Sequence, residues 1–463
     1  MTNIAGAPKP NNATSSVILA LGLAVAAIPL NSTMIGVALP LIGAQLQATP
    51  TDTTQALMAS YLIATIVLQT PGGKLGDLWG RKRALYAGQL LFITGALVGS
   101  LAPTLLGLTA ARLVMAAGGA LLLPAALATL RNLVAPQQRG RMFGILGAAM
   151  GASAALGPPL GGWLAEAFGW EAVFWINIPL LLTALLLGGG LPAERPSDRP
   201  PLGGIDWRGG LLLAATLLAI IGAIRGSGIS ILILSGSSVV LLVLFIAHEL
   251  RQADPLLDVR IFRTPAYSCG VAITAIQNFG LYGPVFFLPF VMFDGYGIGP
   301  GVTGQTVLFM TGGMVLFGPA GGRLADRFGA RRMVTLAAGV ATVGMLGIAL
   351  APDWRHPASL MPWLLLVGMG MACSTGPAQA AAMSAVTAQD SGMAAGALTM
   401  LRYLGSILGI SLVALVAQSA NGHLPDVARA GFLSYAAAYA ITALVARGLP
   451  RRGVAGDDAG GAA

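Results

Sequence analysis

Two arginines stand inside apolar runs of this chain that are long enough to cross a membrane. Arg112 lies in LTAARLVMAAGGALLLPAA and Arg402 in LRYLGSILG. A guanidinium group loses its hydration inside a bilayer, so a charged residue within a span faces a partner or a water-filled cavity. Both arginines are therefore candidates for ligand binding, although an arginine near the end of a span can instead extend its side chain to the membrane surface.

Uncharged polar residues in other apolar runs extend this set of candidates. Amide and hydroxyl groups inside a span either hydrogen-bond to a neighbouring helix or line a wet cavity, and the sequence leaves both alternatives open. A cavity that contains two arginines and no acid accommodates neutral or anionic ligands better than multivalent cations. The predicted substrate cavity consists of Asn31, Tyr61, Arg112, Gln277, Asn278, Gln379 and Arg402.

The sequence contains no pattern typical of an enzyme, a metal site or a nucleotide-driven pump. It has neither a GxxxxGK[ST] nor an HExxH motif. The three histidines, His248, His356 and His423, are far apart, and the two cysteines, Cys269 and Cys373, lie in apolar runs without a CxxC spacing. We therefore predict a protein that is not an enzyme and that uses no metal and no cofactor.

Composition determines which elements must position these residues. Hydrophobic residues make up 56% of the chain and charged residues only 9%, whereas charged residues are about a quarter of an ordinary soluble domain. The apolar runs are long and continuous, unlike the short alternating segments of a membrane β-barrel. The sequence therefore predicts an all-α polytopic membrane protein.

A span needs about 20 apolar residues to cross the hydrocarbon layer. On that criterion the sequence predicts fourteen transmembrane helices, at 17–39, 54–72, 84–102, 105–131, 141–164, 171–190, 209–225, 229–248, 267–292, 303–322, 333–351, 360–386, 391–419 and 430–447. The predicted domains are an N-terminal six-helix bundle (1–190), a linker with two extra helices (191–266), a C-terminal six-helix bundle (267–447) and a flexible cytoplasmic tail (448–463).

The positions of the basic residues predict the orientation. If the N-terminus is cytoplasmic, 21 of the 26 lysines and arginines lie in loops or tails on that side. Such a bias favours multi-pass insertion in the inner (plasma) membrane with both termini cytoplasmic. Because the basic residues are spread over short loops, the net charge of +9 reflects topology, and we predict no nucleic-acid partner.

One phrase occurs twice in register, as GGKLGDLWGRKR at 72–83 and GGRLADRFGARR at 321–332. The repetition indicates two halves built on one plan, and duplicated halves in a polytopic membrane protein are typical of transporters. An acid at the membrane edge can pair with a basic group in one conformation and release it in the other. The predicted conformational signature loops therefore contain Gly73, Asp77, Arg81, Arg83, Gly322, Asp326 and Arg332. The basic members can alternatively be simple membrane anchors.

The fifth predicted span contains the segment GASAALGPPLGGWL at 151–164. Proline interrupts the backbone hydrogen bonds of a helix, and glycine permits close contact with a neighbouring helix. We interpret Gly157, Pro158 and Gly161 as a hinge or seal, the alternative being ordinary helix packing.

Together these segments resemble the major facilitator superfamily. The two repeated phrases are similar to its cytoplasmic signature loop, Arg112 to its fourth-span arginine motif, and 151–162 to its antiporter motif. The phrases NSTMIGVALP (31–40), WEAVFWINIPL (170–180), DPLLDVRIFR (254–263) and LRYLGSILG (401–409) resemble the drug:proton antiporter branch with fourteen helices.

This resemblance implies two six-helix bundles plus two linker helices and alternating access. It implies a monomer that exports small hydrophobic compounds, such as drugs or antibiotics, with proton coupling. Uptake of a small metabolite, or its uncoupled facilitation, is the alternative. The chain departs from that branch at Asn31, where an aspartate is usual; an asparagine accepts hydrogen bonds but cannot titrate, which weakens the expectation of proton exchange.

Overall fold

The computed structural model describes residues 12–134, 138–191, 206–225, 229–252, 255, 257, 259–351, 353–387, 391–419 and 424–450. Within these ranges the regular structure is helical throughout. The α-helices are α1 (Asn12–Gln45), α2 (Pro50–Thr54), α3 (Ser60–Trp79), α4 (Arg81–Leu101), α5 (Leu105–Leu133), α6 (Arg139–Phe168), α7 (Ala172–Trp175), α8 (Asn177–Leu187), α9 (Trp207–Arg225), α10 (Ile229–Glu249), α11 (Pro265–Phe290), α12 (Pro300–Phe328), α13 (Ala330–Ala349), α14 (Met361–Ser384), α15 (Ser391–Ser419) and α16 (Leu424–Val445).

Eleven helical segments of the described chain are long and apolar enough to cross a membrane. A shorter apolar stretch, Trp207–Ala223, lies in α9. The helices α3 and α6 are not among the eleven, yet they pack along α5 and α1 respectively. The predicted all-α membrane fold is confirmed, and the number of fourteen spans stays a prediction.

The two halves repeat the same helix pairings. In the first half α1 packs along α6 and α4 along α5, while in the second half α11 packs along α15 and α13 along α14. Glycine permits the close approach of α4 and α5, because a Cβ atom on Gly88 would lie 2.8 Å from the carbonyl oxygen of Gly118. The pairings agree with the duplication seen in the sequence, and the domain boundaries at 190 and 267 stay predictions.

The repeated phrase is mostly helix and not a loop, which corrects the sequence interpretation. Its first copy forms the last turns of α3 and its second copy the last turns of α12. Only one glycine in each copy leaves the helix, Gly80 with φ 91° and Gly329 with φ 86°. Glycine adopts positive φ without a steric penalty, so each chain reversal needs a single residue and the preceding polar residues remain helical. We call the end of the bundle that carries both turns the glycine-turn end.

The insert between the halves forms a helix pair. The helices α9 and α10 pack along each other, and α9 also contacts α3 of the first half and α15 of the second. Most side chains of α10 are apolar and exposed, as expected for a helix that faces lipid. Most of the predicted cytoplasmic tail, from 451 onward, lies outside the described residues.

Candidate functional site

Arg112 lies at the centre of the first half and is completely buried. Its Nε donates a hydrogen bond of 2.9 Å to the carbonyl oxygen of Leu57, and its Nη1 donates to Oδ1 of Asn31. The guanidinium carbon lies 3.9 Å from the ring centroid of Tyr61, within the range of a cation–π interaction. The structure therefore brings Asn31, Tyr61 and Arg112 together, and their role in a substrate cavity stays a prediction.

The carbonyl group of Leu57 can accept this bond because the backbone changes its helical form at that point. Gln55–Ala59 is a π-helical turn, in which the amide of Ser60 bonds to the carbonyl oxygen of Gln55. Such a turn widens the helix and is often found at functional sites. The same turn places Sδ of Met58 3.8 Å from Nη2 of Arg112. Nothing in the apolar sequence of 55–59 signals this change.

Asn31 occupies a fully buried position on α1. Its Oδ1 accepts from Arg112, and its Nδ2 lies 3.5 Å from the carbonyl oxygen of Val173 on α7. Among the described residues Arg112 forms no ion pair with a carboxylate, so its partners are an amide, a carbonyl, a thioether and an aromatic ring. The position is thus occupied by a neutral acceptor that holds the guanidinium group but leaves its charge uncompensated.

Arg402 lies on α15 in the second half and is partly exposed. Its guanidinium carbon is 5.1 Å from the ring centroid of the adjacent Tyr403, and it forms no hydrogen bond with the described part of the chain. Tyr282 on α11 is within electrostatic reach of Arg402, Tyr403 and Arg112. Tyr61 is likewise within reach of Tyr282 and Tyr403. We call Arg112, Arg402, Tyr61, Tyr282 and Tyr403 the arginine–tyrosine cluster.

The cluster joins the two halves because α15 also contacts the π-helical turn that binds Arg112. The cavity predicted from the sequence contains neither Tyr282 nor Tyr403. The position of Tyr403 directly after Arg402 in LRYLGSILG is a signal that could have identified it.

The remaining predicted cavity residues separate into two kinds. Gln277 is fully buried and links α11 to α14: its Nε2 donates to Oγ of Ser374 at 2.6 Å, and its Oε1 accepts from Oγ1 of Thr375 at 2.7 Å. Asn278 donates to a carbonyl of its own helix, that of Thr274, at 2.9 Å. These bonds match the helix-bonding alternative. Gln379 is partly exposed and forms no hydrogen bond within the described ranges.

The predicted hinge residues lie where α6 packs between the halves. A Cβ atom on Gly157 would overlap Oγ1 of Thr33, and one on Gly161 would lie 2.6 Å from the carbonyl oxygen of Met34, both on α1. On its other side, α6 contacts α12, where a Cβ atom on Gly304 would lie 2.4 Å from the carbonyl oxygen of Pro158.

A hydrogen bond adds to this contact between the halves: Oγ1 of Thr311 donates to the carbonyl oxygen of Ala155 at 2.9 Å. The helix α6 continues through its prolines. The observed role of this segment is therefore close contact between the halves at the end opposite the glycine-turn end, where α6 ends and α12 begins.

The signature residues lie around the two glycine turns. Nη1 of Arg81 donates to the carbonyl oxygen of Ala128 at 3.3 Å, so this residue bonds to the end of α5. A Cβ atom on Gly73 would make ordinary contact with Pro124, whereas one on Gly322 would meet no atom within 4 Å. The side chains of Arg83, Asp326 and Arg332 are exposed, and that of Asp77 lies outside the described part of the structure.

A polar cluster connects the insert to the glycine-turn end. Nε2 of His248, near the end of α10, lies 2.9 Å from Oδ1 of Asp206, just before α9. Burial raises the pKa of Asp206, but the hydrogen bond from the Gly209 amide and the contact with His248 outweigh it and keep that pKa below its usual value. Lys74 of the repeated phrase also lowers it, so the insert and the first half interact electrostatically here.

The family model of the Major Facilitator Superfamily matches residues 21–410. Among characterised and uncharacterised relatives, the MFS-type transporter YvkA of Bacillus subtilis is 30% identical over 410 residues, 87% of this chain and 90% of its own length. The tetracenomycin C resistance and export protein of Streptomyces glaucescens is 28% identical over 88% of this chain and 77% of its own length. The multidrug resistance protein Stp of Mycobacterium tuberculosis is 30% identical over 86% and 75% respectively.

Solved structures agree with these matches at the level of fold. The bacterial homologue of the lysosomal transporter Spinster, in an inward-facing conformation, covers 95% of this chain and 98% of its own with a TM-score of 0.69 and 14% identity. A peptide transporter, POT, gives a TM-score of 0.69 at 15% identity and covers 96% of this chain and 100% of its own.

Proposed function

This chain belongs to the Major Facilitator Superfamily, and we propose that it is a secondary active transporter that exports small hydrophobic compounds, such as drugs or antibiotics, across the inner (plasma) membrane. The observation that supports the proposal is the arginine–tyrosine cluster, to which each half contributes one arginine. Polar groups enclosed between two helix bundles at mid-span are what a transporter needs to hold a ligand during transit. The relatives named for export or resistance support the outward direction.

Alternating access is the mechanism that we propose. The contacts of α6 with α12 close the molecule at the end opposite the glycine-turn end. These contacts involve glycines, one hydroxyl group and the carboxylate of Glu166, which is exposed. The halves can therefore separate there without unpairing a buried charge. If that end faces outward, as the distribution of basic residues suggests, the described conformation is closed toward the outside, and opening it would release the ligand.

The finer points of the proposal follow from the sequence: fourteen spans, both termini in the cytoplasm, and a monomer. The proposal also includes exchange of the substrate for protons, because the family resemblance implies it. Asn31 cannot carry the proton, so the coupling residue is an acid near the end of a span. Asp77 and Asp326 near the glycine-turn end, and Glu166 at the opposite end, are the candidates.

Transport in proteoliposomes under imposed gradients tests this function. Cells that lack their own exporters and express the chain should accumulate less of at least one compound in a panel of hydrophobic drugs. The purified protein should then move that compound when a pH gradient or a membrane potential is imposed separately. Accumulation that rises for the panel compounds would instead support uptake. Transport that neither gradient changes would identify a facilitator.

A further inference from the structure

We infer that the arginine–tyrosine cluster binds the negatively charged group of a lipophilic organic monoanion, and that Arg402 is the residue that contacts it. This inference rests on the proposed export function and specifies its substrate class. It differs from the general expectation of hydrophobic substrates, because it requires a formal negative charge on the transported compound.

The first argument is the charge balance of the cluster. Arg112 is buried with only neutral partners, namely Asn31, the carbonyl group of Leu57, Met58 and the ring of Tyr61. A buried charge is costly unless an opposite charge compensates it. Within the described residues no carboxylate forms an ion pair with Arg112 or Arg402. The cluster therefore has a positive potential, and an anionic ligand would supply the missing compensation.

The second argument is that donors remain available. Arg402 is partly exposed, and its guanidinium group, which has five N–H donors, makes no hydrogen bond to the described residues. An anionic oxygen can accept hydrogen bonds from these donors. In contrast, Tyr61 and Arg112 are buried, so Arg112 acts on the ligand through its charge.

The third argument concerns the rest of the ligand. Tyr282 and Tyr403 are both partly exposed, and the guanidinium carbon of Arg402 lies 5.1 Å from the ring centroid of Tyr403. These aromatic faces suit the apolar, preferably aromatic, body of a ligand whose charged end meets Arg402. A bare inorganic anion would leave these surfaces unused, so the site favours an organic anion over phosphate or sulfate.

The charge of the substrate has an energetic consequence. An inside-negative membrane potential drives anions outward, and about 100 mV corresponds to roughly a fiftyfold concentration ratio for a monovalent anion. Export of a monoanion therefore uses the membrane potential directly, whether or not protons move in exchange. This driving force requires no titratable group at Asn31.

A matched pair of fluorescent probes tests the inference. Anilinonaphthalene sulfonate (ANS) carries a sulfonate that stays ionised at all working pH values, while N-phenylnaphthylamine (NPN) is its neutral counterpart. Binding of both is measured with the protein in nanodiscs, after subtraction of empty nanodiscs. We expect the wild-type protein to bind ANS at least tenfold more tightly than NPN. Proteoliposomes should release trapped ANS faster under an inside-negative potential at zero pH gradient.

Variants of Arg402 show whether this residue makes the contact. We expect Arg402→Gln to weaken ANS binding about ten- to a hundredfold, the range for loss of a hydrogen bond to a charged group, with NPN binding changed less than twofold. Arg402→Lys should retain most ANS affinity because it retains the charge. Arg429→Gln, the same change on an exposed part of α16, is the control and should alter neither probe.

Two results would overturn the inference. Equal binding of ANS and NPN to the wild-type protein would show that the cluster does not select for charge. Parallel loss of both probes in Arg402→Gln and Arg402→Lys would show a structural role for this residue. Either result leaves the proposed export function in place, since that function is tested separately, by the accumulation in cells of a panel of hydrophobic drugs of any charge.

Discussion

Replacing Gly162 by alanine tests whether the contact between α6 and α12 controls the conformation. A Cβ atom at this position would lie 2.3 Å from the carbonyl oxygen of Pro300, well under the 3.0 Å that real Cβ atoms almost never approach. The obstacle is backbone, so the two helices must move apart. Overpacking of this kind costs about 1–3 kcal/mol, and since only the closed conformation contains the contact, the population of the open one should rise about 5- to 150-fold.

Cysteine labelling measures this population. Ala155→Cys, in a background with Cys269→Ser and Cys373→Ala, places one thiol at the contact between the halves, where the residue is 7% exposed. Gly162→Ala should accelerate its reaction with a membrane-impermeant maleimide, because the rate follows the open fraction. Gly151→Ala is the matched control on the same helix, since a Cβ atom there would meet nothing within 4 Å. Equal labelling rates in the two variants would refute the argument that α6 and α12 separate during the cycle.

Three further substitutions probe other parts of the molecule. Asn31→Asp puts a carboxylate against Arg112, so we expect ANS affinity to fall about tenfold and transport to gain a pH dependence; an unchanged pH profile would contradict the placement of Asn31. Gln277→Leu should lower the free energy of unfolding by about 1–3 kcal/mol, seen as a lower melting temperature, with KM unchanged; a changed KM with normal melting would place this amide in contact with substrate. Asp206→Asn should lower the melting temperature at neutral pH. The pKa of Asp206 is depressed in the folded protein. The stability that its carboxylate contributes is therefore present above the usual pKa of about 3.9 and is lost as the pH falls through the depressed pKa. The difference in melting temperature from wild type should then disappear at low pH.

The helices could be predicted from the sequence because apolar runs of membrane-spanning length have few alternative structures. The predicted span 105–131 corresponds to α5, Leu105–Leu133, and 229–248 corresponds to α10, Ile229–Glu249. The prediction was wrong where polar residues continue a helix beyond its apolar part. The sequence predicts a loop at 72–83, yet every residue of this phrase except Gly80 is helical. Lysine, leucine and tryptophan all tolerate a helix, so the polar residues do not end it.

The site could be predicted in part. Because a charge inside a membrane span is costly to dehydrate, the sequence alone identifies Arg112 and Arg402 as candidate ligand-binding residues. The partners of Arg112 could not be predicted in the same way, because one is a backbone carbonyl made available by a π-helical turn. For the amide side chains the sequence allows either a hydrogen bond to a neighbouring helix or a position in a wet cavity. Only the positions of the neighbouring helices decide between these alternatives. Gln277 on α11 donates a hydrogen bond to Ser374 on α14, a contact between residues far apart in the chain.

The neutral residue at Asn31 links the charge of the site to the proposed motion. An amide oxygen keeps Arg112 in place by the same hydrogen bond that a carboxylate would accept, but it does not neutralise the charge. Arg112 and Arg402 come from opposite halves, and both are within electrostatic reach of Tyr282. In a medium of low dielectric, an anion held between the halves would be attracted by both cations. An anionic substrate would therefore favour the conformation in which the halves enclose it, and its release would remove that preference. If the substrate is an anion, as we propose, the neutral residue at position 31 that weakens the expectation of proton exchange would also couple ligand binding to closure of the transporter.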